Sequence, residues 1–203
     1  MAPVWLGDAE TKPAPGTLAR IQSLVNTREI PNGADRLADP IEAQRWLVAH
    51  GLIAAGARAT RADVDLVCDV REAFRAVLMR NTGGPEPDDR QRAVLQTLAD
   101  TARARVVLAP DGQVQLTAAG DGVRDRLLEL LLAMHEAQRD DSWRRLKACA
   151  NPDCRWAFYD RSRNHGGTWC VMSGCGNKLK NREFRARRRA GGANGGLGAG
   201  GAS

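Results

Sequence analysis

Cys149-Ala150-Asn151-Pro152-Asp153-Cys154 and, after fifteen intervening residues, Cys170-Val171-Met172-Ser173-Gly174-Cys175 decide how this chain of 203 residues is read. Zn²⁺ takes four ligands in a tetrahedron, and two short loops that each present two thiolates are a common protein solution. Two equal loops of four residues fit that pattern, and Pro152-Asp153 and Ser173-Gly174 are turn-formers that help the backbone double back around a metal. A shell of Cys149, Cys154, Cys170 and Cys175 leaves no open position for water, so the expected ion is a single structural zinc without catalytic work. His165 is the competing ligand within the segment; four thiolates already complete the shell, so it reads as a loop residue beside Gly166-Gly167.

Little else holds this segment together. Trp156, Phe158, Tyr159 and Trp169 are its main bulky side chains, too few for an independent core. Structural zinc contributes on the order of 10 kcal/mol in small peptides. Phe158, Tyr159 and Trp169 read as a mini-core under the metal; the alternative is that one of them stacks on a nucleic-acid base.

Directly after Cys175 runs Gly176-Asn177-Lys178-Leu179-Lys180-Asn181-Arg182-Glu183-Phe184-Arg185-Ala186-Arg187-Arg188-Arg189, with no helix breaker beyond Gly176. At 3.6 residues per turn, Lys178, Asn181, Arg182, Arg185, Arg188 and Arg189 share one face, while Leu179, Ala186 and Ala190 share another. Five arginines in eight positions repel one another, and a polyanion supplies the missing counter-charge. The predicted nucleic-acid contacts are Lys178, Lys180, Arg182, Arg185, Arg187, Arg188 and Arg189, most of them to phosphate. One or two arginines could read guanine edges in a major groove.

Charge distribution supports the same division. Net charge is +6, but residues 143–190 hold 13 basic against 3 acidic residues, whereas the rest of the chain holds 17 basic against 21 acidic. Only the C-terminal part is built to attract a polyanion.

Upstream, helical periodicity dominates. Leu18, Ile21, Leu24 and Val25 predict a helix over about 17–28, followed by an Asn26-Thr27 terminus and a Pro31-Asn32-Gly33 turn. Asp39-Pro40 starts a second helix, with Glu42 placed for a capping box and Ala43, Trp46, Leu47 and His50 facing inward; Gly51 stops it. A third helix spans about 61–80 after Thr60, with Val67, Val70, Phe74, Val77 and Leu78 on one side. Residues 81–89 form a loop, and Val94, Leu95, Leu98 and Ala102 mark a fourth helix. Arg105–Ala109 and Gln113–Thr117 flank Pro110-Asp111-Gly112 as a hairpin. A fifth helix carries Val123, Leu127, Leu130, Leu131 and Met134 and is expected to continue through Trp143 to Lys147, delivering Cys149. The fold class is therefore α+β, mostly α: a helical N-terminal domain with a β-hairpin (1–142), a small four-cysteine zinc finger with a basic C-terminal helix (143–190), and a disordered Gly-rich tail (191–203).

The fifth cysteine, Cys68, stands among Val64, Leu66, Val67 and Val70 and reads as a packing residue. No stretch approaches the roughly 20 apolar residues that cross a membrane, and residues 1–18 lack a basic-then-apolar leader pattern. The expected location is cytoplasmic and nucleoid-associated, with no membrane partner.

The run from Cys149 to Cys154, the Phe158-Tyr159-Asp160 that follows, Trp169-Cys170 and Cys175-Gly176-Asn177-Lys178 resemble the CGNR zinc finger of bacterial proteins. Lys178 stands where the namesake motif has arginine, which keeps the charge but loses a bidentate or stacked contact. Leu24-Val25-Asn26-Thr27, Leu37-Ala38-Asp39-Pro40 with Trp46-Leu47, and Arg71-Glu72-Ala73-Phe74 resemble the ABATE domain, the N-terminal partner of that finger in a family of stress-induced transcription regulators. The resemblance covers about residues 17–190. It implies a DNA-binding finger that regulates transcription and a mostly helical domain that senses a small ligand.

Duplex DNA is thus the expected partner. A helix on one small finger covers only a few base pairs, which favours a homodimer, although no heptad pattern identifies an interface. Asn26, Thr27 and Trp46 are the candidate ligand-binding residues. Two other readings stay open: an RNA-binding or ribosome-associated zinc protein, and a small-molecule enzyme tethered by the finger. For the enzyme, Asn26, Thr27, Arg28, Trp46 and His50 would line a pocket and Arg71-Glu72 would supply an acid-base pair, or else serve as surface charge. No catalytic nucleophile, phosphate-binding glycine loop or catalytic metal pattern is visible, so no catalytic residue is assigned and the chain reads as a non-enzyme.

Overall fold

Local capping sets the helix starts in the computed structural model, which describes residues 10–30 and 33–176. Asp39 accepts hydrogen bonds from the Ile41 and Glu42 amides, and Pro40 occupies the first turn of α2 (Pro40–Ala49). Gly51, at φ 66°, ends it in the left-handed region open to glycine. Thr60 and Asp63 form a reciprocal capping box before α3 (Arg61–Arg80), and Asp88 and Gln91 form another before α4 (Asp89–Thr101).

The described residues contain five α-helices and three two-stranded antiparallel sheets. Helix α1 (Leu18–Val25) is shorter than its periodicity predicts, because the chain turns at Asn26 and Arg28–Glu29 pair as strand β1 with β2 (Ala34–Asp35). The Pro31-Asn32 part of the expected turn lies outside the described residues. Strands β3 (Ala104–Leu108) and β4 (Val114–Ala118) form the expected hairpin, each displaced by one residue.

Helix α5 (Val123–Arg139) corrects one expectation. It does not run on to Lys147: Asp141 takes a left-handed φ of 64°, a short 3₁₀ turn follows at Ser142–Arg145, and strand β5 (Leu146–Ala148) leads into Cys149. Trp143 looked like a continuation of the helical pattern, yet it is buried in the turn. Strand β5 pairs with β6 (Ala157–Tyr159), matching Leu146 with Tyr159 and Ala148 with Ala157.

Helices α1, α3 and α5 surround the core. Ile21, Leu24, Val25, Val67, Val70, Phe74, Leu78, Leu127 and Leu130 are all at most 1% exposed. Full burial of such side chains contributes roughly 1.5–3 kcal/mol each. Trp143, Leu146, Ala148, Ala157 and Tyr159 belong to the same cluster, so β5 and β6 share a core with the helices. Residues 1–170 form one compact unit and residues 171–203 a second, of which 171–176 are described; within these, Met172–Gly176 makes a single π-helical turn.

Polar bonds tie β5 and β6 to the helices. Asn81, at the C-terminal end of α3, donates to the Trp143 and Leu146 carbonyls at 3.0 and 2.9 Å, and Thr82 donates to the Ala148 carbonyl at 2.9 Å. Arg75, 2% exposed, donates to the carbonyls of Val25 and Arg155 and pairs with Glu72. Arg71 is equally buried and grips Asp35 through two bonds of 2.7 and 2.8 Å. Arg71 is therefore an internal strut between α3 and the β1–β2 hairpin and not the surface charge that its sequence suggests. Burial pushes the Asp35 carboxyl up, but the Arg71 guanidinium outweighs it and holds the group below its ordinary value.

Candidate metal centre

Strand β5 delivers Cys149 and strand β6 begins just after Cys154, so the first thiolate loop is the connection of a small hairpin. The Asn151 side chain accepts from the Asp153 amide at 3.1 Å, and the Cys154 amide donates to the Asn151 carbonyl at 2.9 Å, which closes the turn. Arg155 adopts a left-handed φ of 51°, and the Cys149 amide then reaches the Trp156 carbonyl at 2.9 Å. The Ala150 amide donates to Thr168, bringing the Trp169-Cys170 segment alongside.

Cys149 is 1% and Cys170 8% exposed, with Cys154 and Cys175 half-buried. The ligand atoms of all four lie within 4.8 Å of one another, and Cys154 Sγ is 3.6 Å from Cys170 Sγ. A tetrahedron with Zn–S arms of about 2.3 Å has edges of about 3.8 Å, so the spacing suits the ion. Without a cation, sulfurs this close compete for negative charge. Hydrogen bonds from Cys154 and Cys170 lower the Cys149 thiol to about 2, the Cys149 contact pushes Cys154 up to about 12 against the opposing pull of Cys170, and Cys149 and Cys154 together raise Cys170 further. A divalent cation relieves that competition by stabilising every thiolate at once. The donor set is that of one structural zinc ion.

A buried ion pair frames the loop between the two thiolate pairs. Lys147 Nζ lies 2.9 Å from Asp160, with side chains 5% and 4% exposed, and also donates to the His165 and Gly167 carbonyls. Asp160 in turn accepts from the Ser162 and Gly167 amides. Burial raises the Asp160 carboxyl, but these partners prevail and hold it well below the usual carboxylate range. A side chain at position 167 would place its Cβ 2.7 Å from the Asp160 carboxyl carbon, so the close approach requires glycine. Lys147, counted in the sequence with the charge available to a polyanion, is spent internally.

Of the aromatic residues, Phe158 and Tyr159 follow the mini-core reading, whereas Trp169 is half-buried. Phe158 and Tyr159 are buried, and the Lys12 ammonium sits 4.9 Å from the Phe158 ring centre. Segment 10–14 supports them: the Tyr159 amide donates to the Lys12 carbonyl, and Lys12 Nζ donates to the Trp169 carbonyl. His165 has a left-handed φ of 52° and is not among the clustered ligands. Residues 178–189, the predicted basic helix, lie outside the described residues.

The three residues singled out for ligand binding come together elsewhere. Asn26, Thr27 and Trp46 line a cavity of about 230 Å³ with Glu10, Arg36 and His50. Trp46 and His50 stack with ring centres 4.0 Å apart, and burial lowers the His50 pKa. Asn26 is also structural: its amide group donates to the Ala157 carbonyl at 2.9 Å and accepts from the Ala157 amide at 2.8 Å, imitating a neighbouring strand on β6. Thr27 Oγ1 accepts from Arg71 at 3.1 Å. Sequence reasoning passed over Gln22 and Glu10. Gln22 bonds the backbone of Lys12, Ala14 and Ala157, and Glu10 accepts from the Trp156 indole at 2.9 Å. A glutamine set on the apolar face of Leu18, Ile21 and Val25 is the one signal in the sequence for the first; nothing local marks the second.

Residues 18–142 match the ABATE family, described as "Putative stress-induced transcription regulator", and residues 145–188 match the CGNR zinc finger. No curated protein matches the chain. Neither family is one of enzymes, and no helix among the described residues is long and apolar enough to cross a membrane. With more than half its length matched and its four thiolates gathered as that finger demands, the chain belongs to the ABATE family of transcription regulators and carries a CGNR zinc finger.

Proposed function

We propose that this zinc-binding regulator acts by binding duplex DNA through residues 143–190, that residues 1–142 sense a small ligand, and that it works as a homodimer. The observation that carries the reading is the density of cationic residues from Lys178 to Arg189, seven of twelve positions against the single acid Glu183, beginning three positions after the last zinc ligand. Zinc orients the chain at Cys175, and phosphate neutralises the charges that Glu183 alone does not offset. The ligand part rests on the cavity that gathers Asn26, Thr27 and Trp46, since a flat Trp46–His50 wall beside charged groups suits a small polar molecule. Residues 191–203, the expected tail, lie outside the described residues.

Titration of zinc-loaded full-length protein with duplex DNA across a salt series tests this. Seven phosphate contacts give a log-log slope near −6, at about −0.9 per contact. The sevenfold variant with Lys178, Lys180, Arg182, Arg185, Arg187, Arg188 and Arg189 changed to glutamine loses most of that slope. A flat salt dependence in the wild type, or tighter binding to structured RNA at equal salt, overturns the DNA reading.

A further inference from the structure

The β3–β4 hairpin is inside out for a monomer. Val106, Leu108, Val114 and Leu116 are 68%, 71%, 69% and 45% exposed. The pairing sets Val106 opposite Leu116 and Leu108 opposite Val114, so all four lie on one face, with Ala104 opposite Ala118 at its base. No position on that face carries a charge or a hydrogen-bonding side chain, whereas the reverse face holds Arg105, Gln115 and Thr117 beside a half-buried Val107. A two-stranded sheet of this kind is marginal in water, and the usual arrangement turns its apolar side inward.

We infer that this face is where two copies of the chain meet, packed sheet on sheet. The occupant is a second copy because the face is complementary to itself. Its four large side chains alternate diagonally, valine at 106 and 114, leucine at 108 and 116. Rotation by 180° about an axis in the interface, parallel to the strands, sets Val106 over the partner's Leu116 and Leu108 over the partner's Val114. Every small side chain then meets a large one, the condition for interdigitation in a packed layer. An uncharged face offers nothing to nucleic acid, and a copy of itself buries no ionisable group. At these exposures each copy contributes roughly 400 Å² of open apolar surface, the size at which a patch on a monomer marks a contact site. Two copies bury roughly 800 Å² there, below the ~1,200 Å² of a standard interface, so the dimer is weak and depends on concentration. This interface deepens the homodimer reading of the preceding subsection and rests on it.

Sedimentation velocity on the zinc-loaded full-length chain, from about 1 to about 300 μM, reads the association directly. The expected result is a reversible monomer–dimer equilibrium whose dimer fraction rises across this range. Leu108→Glu with Val114→Glu sediments as a monomer throughout. A second variant, with Val106, Leu108, Val114 and Leu116 all changed to threonine, keeps strand preference and raises the dissociation constant at least tenfold; circular dichroism and zinc content report that it is folded. A wild type that stays monomeric at the highest concentration overturns the inference, the face then belonging to a different partner. Variants that dimerise like the wild type also overturn it, while leaving the homodimer in place. DNA titration of the threonine variant on a single short duplex keeps the wild-type salt slope, so the nucleic-acid reading stands or falls separately.

Discussion

Replacing Asn26 with alanine removes the side chain that holds β6 against α1. Asn26 is 4% exposed and makes paired bonds of 2.9 and 2.8 Å with the Ala157 carbonyl and amide. In the variant the Ala157 carbonyl keeps its bond from Gln22 at 3.2 Å, but the buried Ala157 amide loses the Asn26 acceptor. An unsatisfied buried donor costs about 1–3 kcal/mol. The expected destabilisation is therefore about 2 kcal/mol, with a small addition for the space left behind. Asn26→Asp is the sharper variant. Its retained oxygen still accepts from Ala157, but the second oxygen faces the Ala157 carbonyl and the Glu10 carboxylate, which lies 3.2 Å from the Asn26 amide nitrogen in the native protein. That variant should lose more stability than alanine at neutral pH and recover part of it as acid protonates the new carboxyl. Urea unfolding with zinc in excess measures both, and hydrogen exchange at the Ala157 amide reports the local effect. A loss below about 0.5 kcal/mol for Asn26→Ala, with Ala157 protection unchanged, refutes the strut.

Two further outcomes follow from the metal-bearing segment. Asp160→Asn leaves Lys147 buried without its counter-charge and should cost about 3 kcal/mol or more at neutral pH. Because folding depresses the Asp160 pKa, its contribution is fully present above the unfolded value of about 3.9 and fades as pH falls through the folded value; the stability gap between wild type and variant should therefore narrow in acid. Equal gaps at pH 7 and pH 3 would remove the ion pair from the account. Purified protein should carry one zinc per chain by native mass spectrometry, and chelation should abolish exchange protection around Cys149–Arg155 while most helical circular dichroism survives through the shared core. Metal-free protein with the same protection sinks the zinc assignment.

Much of this protein was legible in one dimension because its signals are local. Two cysteine pairs, three helix starts marked by Asp39, Thr60 and a loop at 81–89, and turn chemistry at Pro110-Asp111-Gly112 depend on neighbours within a few residues, so the chain itself carried the helix order, the hairpin and the ligand set. The same was true of the three cavity residues only in part: their types suggested a pocket, but Asn26 and Thr27 also serve as struts. The tertiary structure decided the rest. Helix α5 ends where Asp141 turns left-handed and Trp143 is buried in the turn that follows, and periodicity registers neither. Likewise Arg71, Arg75 and Lys147 look like ordinary surface cations until long-range packing brings Asp35, Val25 and Asp160 to them. A charge's worth is set by what surrounds it in space, and sequence distance does not record that.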